Sequence, residues 1–136
     1  MMLNYFEKVK GYLLDLGHEI VDENAQDGML VVTDESKGLM NTMLDCEGEI
    51  LVIEQHIINL DSNQTEAYKR LLQINREVVH GAFVLNEDAT KLLFRDTLQL
   101  ANLDSNELEG SLNALTIALV ENTDELLGWA AHEPVA

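Results

Sequence analysis

Cysteine and proline are scarce in this sequence of 136 residues. The single cysteine, Cys46, excludes an intrachain disulfide, and no Cys/His cluster at metal-ligand spacing is present. Acidic neighbours should raise the pKa of the Cys46 thiol, so we interpret this residue as structural rather than nucleophilic. Such cysteine usage fits the reducing cytoplasm. One proline and no low-complexity stretch indicate a folded chain rather than a disordered one.

Basic residues are also few, because eight Lys and Arg stand against 25 Asp and Glu, giving a formal net charge of −17. Nucleic acids and anionic membranes both require positive charge in a partner, so we predict that this protein binds neither. Three of the bases, Lys69, Arg70 and Arg76, crowd one segment, and none follows Arg95. The acidity either keeps the protein soluble or attracts a basic or transiently unfolded partner.

Long hydrophobic runs are absent. No stretch approaches the roughly 20 apolar residues that span a bilayer. Residues 1–17 form an amphipathic pattern interrupted by charge, unlike a signal peptide. The length is that of one ordinary domain. We therefore predict a single domain over residues 1–131 and a frayed C-terminal tail over residues 132–136.

Catalytic motifs are missing as well. The patterns GxxxxGK(S/T), GxGxxG, GxSxG and HExxH do not occur, so we assign no catalytic, cofactor-binding or metal-binding residue and predict no enzyme. Glu54 and His56 share one face of a predicted strand, and Asp45, Glu47 and Glu49 surround a tight turn. These side chains fit solvated surface positions better than a metal site.

The hydrophobic pattern predicts two helices before the last third of the chain. Apolar residues recur at helical spacing over residues 2–16 and end at Gly17, a residue typical of helix C-caps. Asn63 and Glu66 form a capping-box pair at the start of a second helix, which should end near residues 80–81.

Short apolar runs predict the strands. A tight hairpin at Glu47-Gly48 separates the last two runs before the second helix, and a second hairpin joins residues 82–85 to residues 91–100. The capping signature recurs at Asp104 and Glu107, before a closing helix of about seven turns. The order α-β-β-β-α-β-β-α predicts an α+β fold in which an antiparallel sheet of about five strands carries three helices.

Methionines are concentrated in the strand block. Three of them lie among four other apolar residues: Met29, Met40 and Met43 with Leu30, Val32, Leu39 and Leu44. Methionine adapts to varied apolar partners, so this group either fills the core or forms a sheet surface that binds a partner. If both sheet faces are apolar, a second copy or a client segment, added as a strand or laid in a groove, must cover one of them.

Residues 75–129 carry a family resemblance. An asparagine-containing helix end leads into Gly81-Ala82-Phe83-Val84-Leu85, a G-x-F-x-L strand, then a leucine-rich strand, an acidic turn and a helix ending in the run 124–129. In this pattern, and in its order of elements, the chain resembles the YbjN-like and type III secretion chaperone-like superfamily, which includes Tir chaperones of the CesT type.

The resemblance implies a small acidic homodimer that holds an extended segment of a client protein without nucleotide hydrolysis. In secretion chaperones the second helix and the strand after it build the dimer contact, which corresponds here to residues 67–85. The candidate residues of a dimer or partner interface are Leu71, Ile74, Val78, Phe83 and Leu85.

Three functional hypotheses follow. The first is a non-enzymatic, cytoplasmic protein-binding module that needs no cofactor. The alternative is a regulatory or ligand-sensing domain of the YbjN-like type, which expects a small pocket between the sheet and the closing helix. A carboxylate enzyme, the third hypothesis, expects two or more acids that converge in that pocket with perturbed protonation.

Overall fold

The structure, a computed structural model, describes residues 2–61 and 63–131. The predicted tail at residues 132–136 lies outside the described residues. The elements are α1 (Met2–Asp15), β1 (Glu19–Asn24), β2 (Met29–Asp34), a short 3₁₀ helix (Glu35–Lys37), β3 (Leu39–Glu47), β4 (Ile50–Asn59), α2 (Thr65–Asn75), β5 (Ala82–Leu85), β6 (Lys91–Gln99) and α3 (Ser105–Trp129).

The predicted α+β class is confirmed. One antiparallel sheet has the order β1-β2-β3-β4-β6-β5, so the edge strands are β1 and β5. The sheet has six strands, one more than the number of about five that was predicted. The least apolar strand is β1, where only Ile20 and Val21 are apolar and most residues are exposed. Such an edge strand carries little of the alternation that marks a half-buried strand.

The end of α1 and the start of α3 follow the predicted capping signals. Gly17 has a φ of 83°, and its N–H donates to the Leu14 carbonyl at 3.0 Å while the His18 N–H donates to Leu13 at 3.0 Å. This is the hydrogen-bond pattern of a Schellman cap. At the other end of the chain, the Asp104 carboxylate accepts from the Glu107 N–H at 2.7 Å and caps α3 as predicted.

The predicted bounds of α2 were wrong at both ends. Gln64, not Asn63, is the N-cap residue, and its side chain caps nothing in the described part of the helix. The helix ends at Asn75 rather than near residues 80–81. The side-chain amide of Asn75, the last residue of the helix, forms two hydrogen bonds with the backbone of Phe83. Residues 76–81 therefore form a loop between α2 and β5.

A single apolar core lies between the helices and one face of the sheet. It contains Phe6, Val9 and Leu13 from α1, Leu71 and Ile74 from α2, Leu108, Leu112 and Leu115 from α3, and sheet residues such as Leu30, Val32, Leu44, Leu51, Ile53, Phe83, Leu92 and Phe94. Because strand side chains alternate, the intervening residues face the opposite side of the sheet.

A buried polar network fixes the start of β3. Gln55 on β4 is buried, and its Oε1 accepts from the Met40 N–H at 3.1 Å and from the Thr42 hydroxyl. Its Nε2 donates to the Gly38 carbonyl at 3.1 Å. Asn41, in the middle of this bend, has a φ of 49°. The glutamine thus stands in for strand hydrogen bonds that the bend interrupts.

We expect Gln55→Leu to lower the free energy of unfolding by about 2–4 kcal/mol, because it leaves three hydrogen-bond partners unpaired, among them the buried Thr42 hydroxyl. Chemical denaturation measures the loss. Gln99→Leu is the matched control, since Gln99 is exposed on β6 and its replacement should change stability by no more than about 0.5 kcal/mol. Equal effects of the two substitutions would contradict the role of the network.

Candidate protein-binding groove

An open groove of about 580 Å³ lies between α2 and α3. The end of α2 and the 76–81 loop form one wall, and α3 forms the other. Six apolar side chains line it: Ile74, Val78, Val79, Ala114, Ile117 and Ala118. Val79 is 83% exposed and Ile117 is 55% exposed, so these large apolar side chains face water. We call this feature the α2–α3 groove.

The floor of the α2–α3 groove is made of small residues of α3. Gly110, Ala114 and Ala118 recur every four residues and therefore lie on one face of the helix. The large core residues of α3, such as Leu108, Leu112 and Leu115, lie on another face. Ala114 and Ala118 are buried by the chain itself, and Gly110 is half-buried.

A second recess of about 350 Å³ continues the α2–α3 groove past His80 towards the start of α3. The two share His80, Gly110 and Asn113. Together they follow α3 from Asn106 to Asn122, which at 1.5 Å per helical residue is a path of about 24 Å. That length matches about seven residues of extended chain.

The charged residues that line the groove are mostly acidic. They are Glu77 and Glu121 in the main part and Glu107 and Glu109 in the second recess, with Arg70 as the one guanidinium among them. Arg70 donates to both carboxylate oxygens of Glu125, at 2.8 and 3.1 Å. This contact raises the pKa of Arg70 and lowers the pKa of Glu125. Since Glu125 offsets the charge of Arg70, the carboxylates make the electrostatic potential in the groove negative.

The edge of the sheet beside the groove is partly closed. Asn75 Oδ1 accepts from the Phe83 N–H at 2.8 Å, and Asn75 Nδ2 donates to the Phe83 carbonyl at 3.1 Å. These two backbone groups on β5 are the ones that an added strand would need. Of the two ways in which a client segment was expected to bind, strand addition at the centre of β5 is therefore blocked, whereas the α2–α3 groove is open.

The structure separates the five candidate interface residues. Leu71, Ile74 and Phe83 are buried in the chain's own core, Val78 is half-buried and Leu85 is exposed. Ile74 and Val78 also line the α2–α3 groove. The interface role of the five residues stays a prediction. In it, the buried Leu71, Ile74 and Phe83 would pack beneath the contact surface rather than touch the partner.

The methionine cluster divides between the two faces of the sheet. Leu30, Val32, Leu39 and Leu44 belong to the core. Met29 and Met43 are half-buried on the opposite face, where Met43 is the cross-strand neighbour of Val31, and Met40 is exposed. The core interpretation thus holds for the four Leu and Val residues but not for the three methionines, and partner binding by the outer face of the sheet stays a prediction.

The acidic and histidine positions considered for chemistry are spread over the surface. Glu54 pairs with Arg95 at 3.3 Å, and His56 lies 2.9 Å from the Asn59 Oδ1. Within residues 2–61 and 63–131, no three His, Cys, Asp or Glu side chains gather as a metal site would require.

None of the helices described is long and apolar enough to cross a membrane. Burial, and secondarily Asp45, raises the pKa of the Cys46 thiol to about 11.

One buried histidine is unusual. His18 follows α1 and is buried, yet its Nδ1 has no hydrogen-bond partner among the described residues. The carboxylate oxygen Asp34 Oδ2 lies 3.9 Å from this nitrogen, beyond hydrogen-bond range. Burial and the Lys37 ammonium lower the pKa of His18, while the carboxylates of Asp34 and Glu109 act in the opposite direction. The folded chain therefore favours a neutral imidazole.

This histidine should make the fold acid-sensitive. The His18 imidazole has a pKa of about 6.5 in the unfolded chain and a lower pKa in the folded chain. Its contribution to the free energy of unfolding is therefore complete above about pH 6.5 and is lost as the pH falls towards the folded pKa. We expect His18→Gln to flatten the fall in melting temperature between about pH 7 and pH 5. His80→Gln, at an exposed histidine, is the control and should leave the slope unchanged. Identical slopes for wild type and His18→Gln would contradict this prediction.

Comparison with known proteins identifies the family. The profile of the family CesT_Tir_1 matches residues 2–132. The chain belongs to this family. The predicted YbjN-like and type III secretion chaperone-like resemblance is thereby confirmed, and no curated protein sequence gives a significant match.

Solved structures of low sequence identity share the fold. YbjN from E. coli is 15% identical, with a TM-score of 0.67 over 88% of this chain and 91% of YbjN. The HopA1–SchA chaperone–effector complex contains a chain that is 14% identical, with a TM-score of 0.62 and 94% of each chain covered. The structure of the Yersinia pestis type III secretion chaperone SycH, solved with a fragment of YscM2, is 16% identical in sequence. Its TM-score is 0.56, with 93% of this chain and 99% of the other chain covered.

Proposed function

We propose that this member of the CesT_Tir_1 family is a non-enzymatic, cytoplasmic protein-binding module that holds an extended segment of a client protein as an acidic homodimer. The α2–α3 groove is the main support for the proposal, because Val79 and Ile117, two large apolar side chains of its lining, are exposed to water in the described part of the chain. Two structures of similar fold support it, since SycH and the HopA1–SchA complex were both solved with protein partners.

The homodimer contact is assigned to the surface formed by α2 and β5. Leu72 is 71% exposed on α2, and it lies three residues before Asn75, which bonds β5. Leu85 at the end of β5 is also exposed. Lys69 and Arg76 make α2 the part of this acidic chain where two copies repel each other least. This surface is separate from the α2–α3 groove, because Arg70, which lines the groove, does not share a face with Leu72.

Sedimentation equilibrium tests the dimer. We expect wild type at twice the chain mass of 15.2 kDa and Leu72→Asp at the monomer mass. Leu14→Asp is the matched control, because Leu14 is also an exposed helical leucine, on α1, and its replacement should leave the dimer intact. A monomeric wild type, or dissociation by both substitutions, would contradict this assignment.

An aggregation assay without added nucleotide tests whether the protein holds an unfolded client. Reduced, unfolded lysozyme is a basic polypeptide that aggregates, and light scattering follows the aggregation. We expect stoichiometric amounts of this protein to suppress the scattering, with less suppression at high salt because the attraction is partly electrostatic. An unchanged aggregation rate at low salt would count against the proposed function.

A further inference from the structure

We propose that the α2–α3 groove binds an extended partner segment in which apolar side chains alternate with Lys or Arg, and that Gly110 keeps the groove open for it. This inference rests on the proposed function and names the chemistry of the client. It also places the client in the groove rather than at the edge of β5.

The composition of the groove specifies the segment. Its exposed Val79 and Ile117 side chains, with the half-buried Val78, offer a surface for apolar side chains. Four carboxylates lie among the lining residues, and the nearest guanidinium is neutralised by Glu125. An extended strand places alternate side chains on opposite sides, so one set meets the apolar floor while the other reaches the carboxylates. Basic side chains match both this lining and the net charge of −17.

Gly110 occupies the point where the two recesses meet. A Cβ placed on it would have no heavy atom within 4 Å, so a larger side chain would project into open space without a clash. Glycine inside a helix costs about 1 kcal/mol relative to alanine. The small residue thus weakens α3 locally and leaves the middle of the groove free.

Gly128 supplies a matched control on the same helix. It is exposed, a Cβ there also meets nothing within 4 Å, and it does not line the groove. Gly110→Leu and Gly128→Leu should both melt at or above the temperature of wild type, because both remove a helical glycine. Only Gly110→Leu places a side chain in the groove.

Fluorescence anisotropy with three labelled nine-residue peptides tests the inference. The peptides alternate leucine with lysine, serine with lysine, and leucine with glutamate. We expect the leucine–lysine peptide to bind wild type at least tenfold more tightly than the serine–lysine peptide, and the leucine–glutamate peptide to show no binding. Gly110→Leu should weaken leucine–lysine binding at least tenfold, whereas Gly128→Leu should stay within twofold of wild type. Ile117→Ser, at an exposed position, is a second variant that should also weaken binding.

Three outcomes would overturn the inference. Equal binding of the leucine–lysine and serine–lysine peptides means that net charge alone attracts them. Unchanged binding by Gly110→Leu and Ile117→Ser places the peptide elsewhere. A change in dimer mass with Gly110→Leu means that a second copy fills the groove. If suppression of lysozyme aggregation persists in Gly110→Leu, the proposed function stands and only this assignment of the groove fails.

Discussion

Phe83→Asp is expected to leave the chain unfolded at room temperature. Phe83 is only 4% exposed, and its ring meets Phe94 edge-on with centroids 5.2 Å apart. Loss of a core phenylalanine costs about 3–5 kcal/mol. A carboxylate buried without a cation adds several kcal/mol more. The sum approaches the total stability of an ordinary domain, about 5–15 kcal/mol.

Far-ultraviolet circular dichroism during heating measures this effect. Val21→Asp is the control, because Val21 is an exposed residue of the edge strand β1 and its replacement should shift the melting temperature by only a few degrees. A Phe83→Asp protein with the size and melting temperature of wild type would show that Phe83 is not part of the core.

Gly81→Ala is expected to be the second most damaging change, at about 2–5 kcal/mol. Gly81 has a φ of 78°, a left-handed conformation that costs an L-residue about 1–2 kcal/mol. An added Cβ would lie 2.6 Å from the Phe94 Cε1 and 3.0 Å from the Arg95 carbonyl oxygen. Relief of such overlap typically costs another 1–3 kcal/mol. The glycine is needed because β5 starts here, pressed against β6.

Gly17→Ala separates the two causes. Gly17 has a φ of 83°, but a Cβ there meets nothing within 4 Å, so this substitution shows the backbone strain alone. Denaturant titration of both variants gives their free energies of unfolding. We expect Gly81→Ala to be less stable than Gly17→Ala by at least about 1 kcal/mol. Equal losses would mean that the packing against Phe94 relaxes without cost.

Local signals predicted much of the fold. The caps at Gly17 and Asp104, both hairpins and the length of α3 depend on contacts within a few residues, and these patterns are visible in the sequence. The predicted bounds of α2 were wrong because the end of this helix depends on a contact outside the helix. The end of α2 coincides with two hydrogen bonds between the Asn75 side chain and the Phe83 backbone, which helical periodicity does not reveal.

The α2–α3 groove was not predicted from the sequence. The ligand-sensing hypothesis expected a pocket between the sheet and the closing helix, whereas this groove lies between two helices. Gly110, Ala114 and Ala118 gave a signal through their four-residue spacing, but small residues also fit beside the core stripe of α3. The early end of α2, which exposes Val79 to water, distinguishes the two interpretations.

Hydrogen exchange followed by mass spectrometry, with and without saturating unfolded basic polypeptide, tests most directly that this groove binds another chain. We predict slower exchange at the backbone amides of the 76–81 loop and of residues 106–122, with the end of α1 unchanged. Protection confined to other segments, or none at all, would contradict the account.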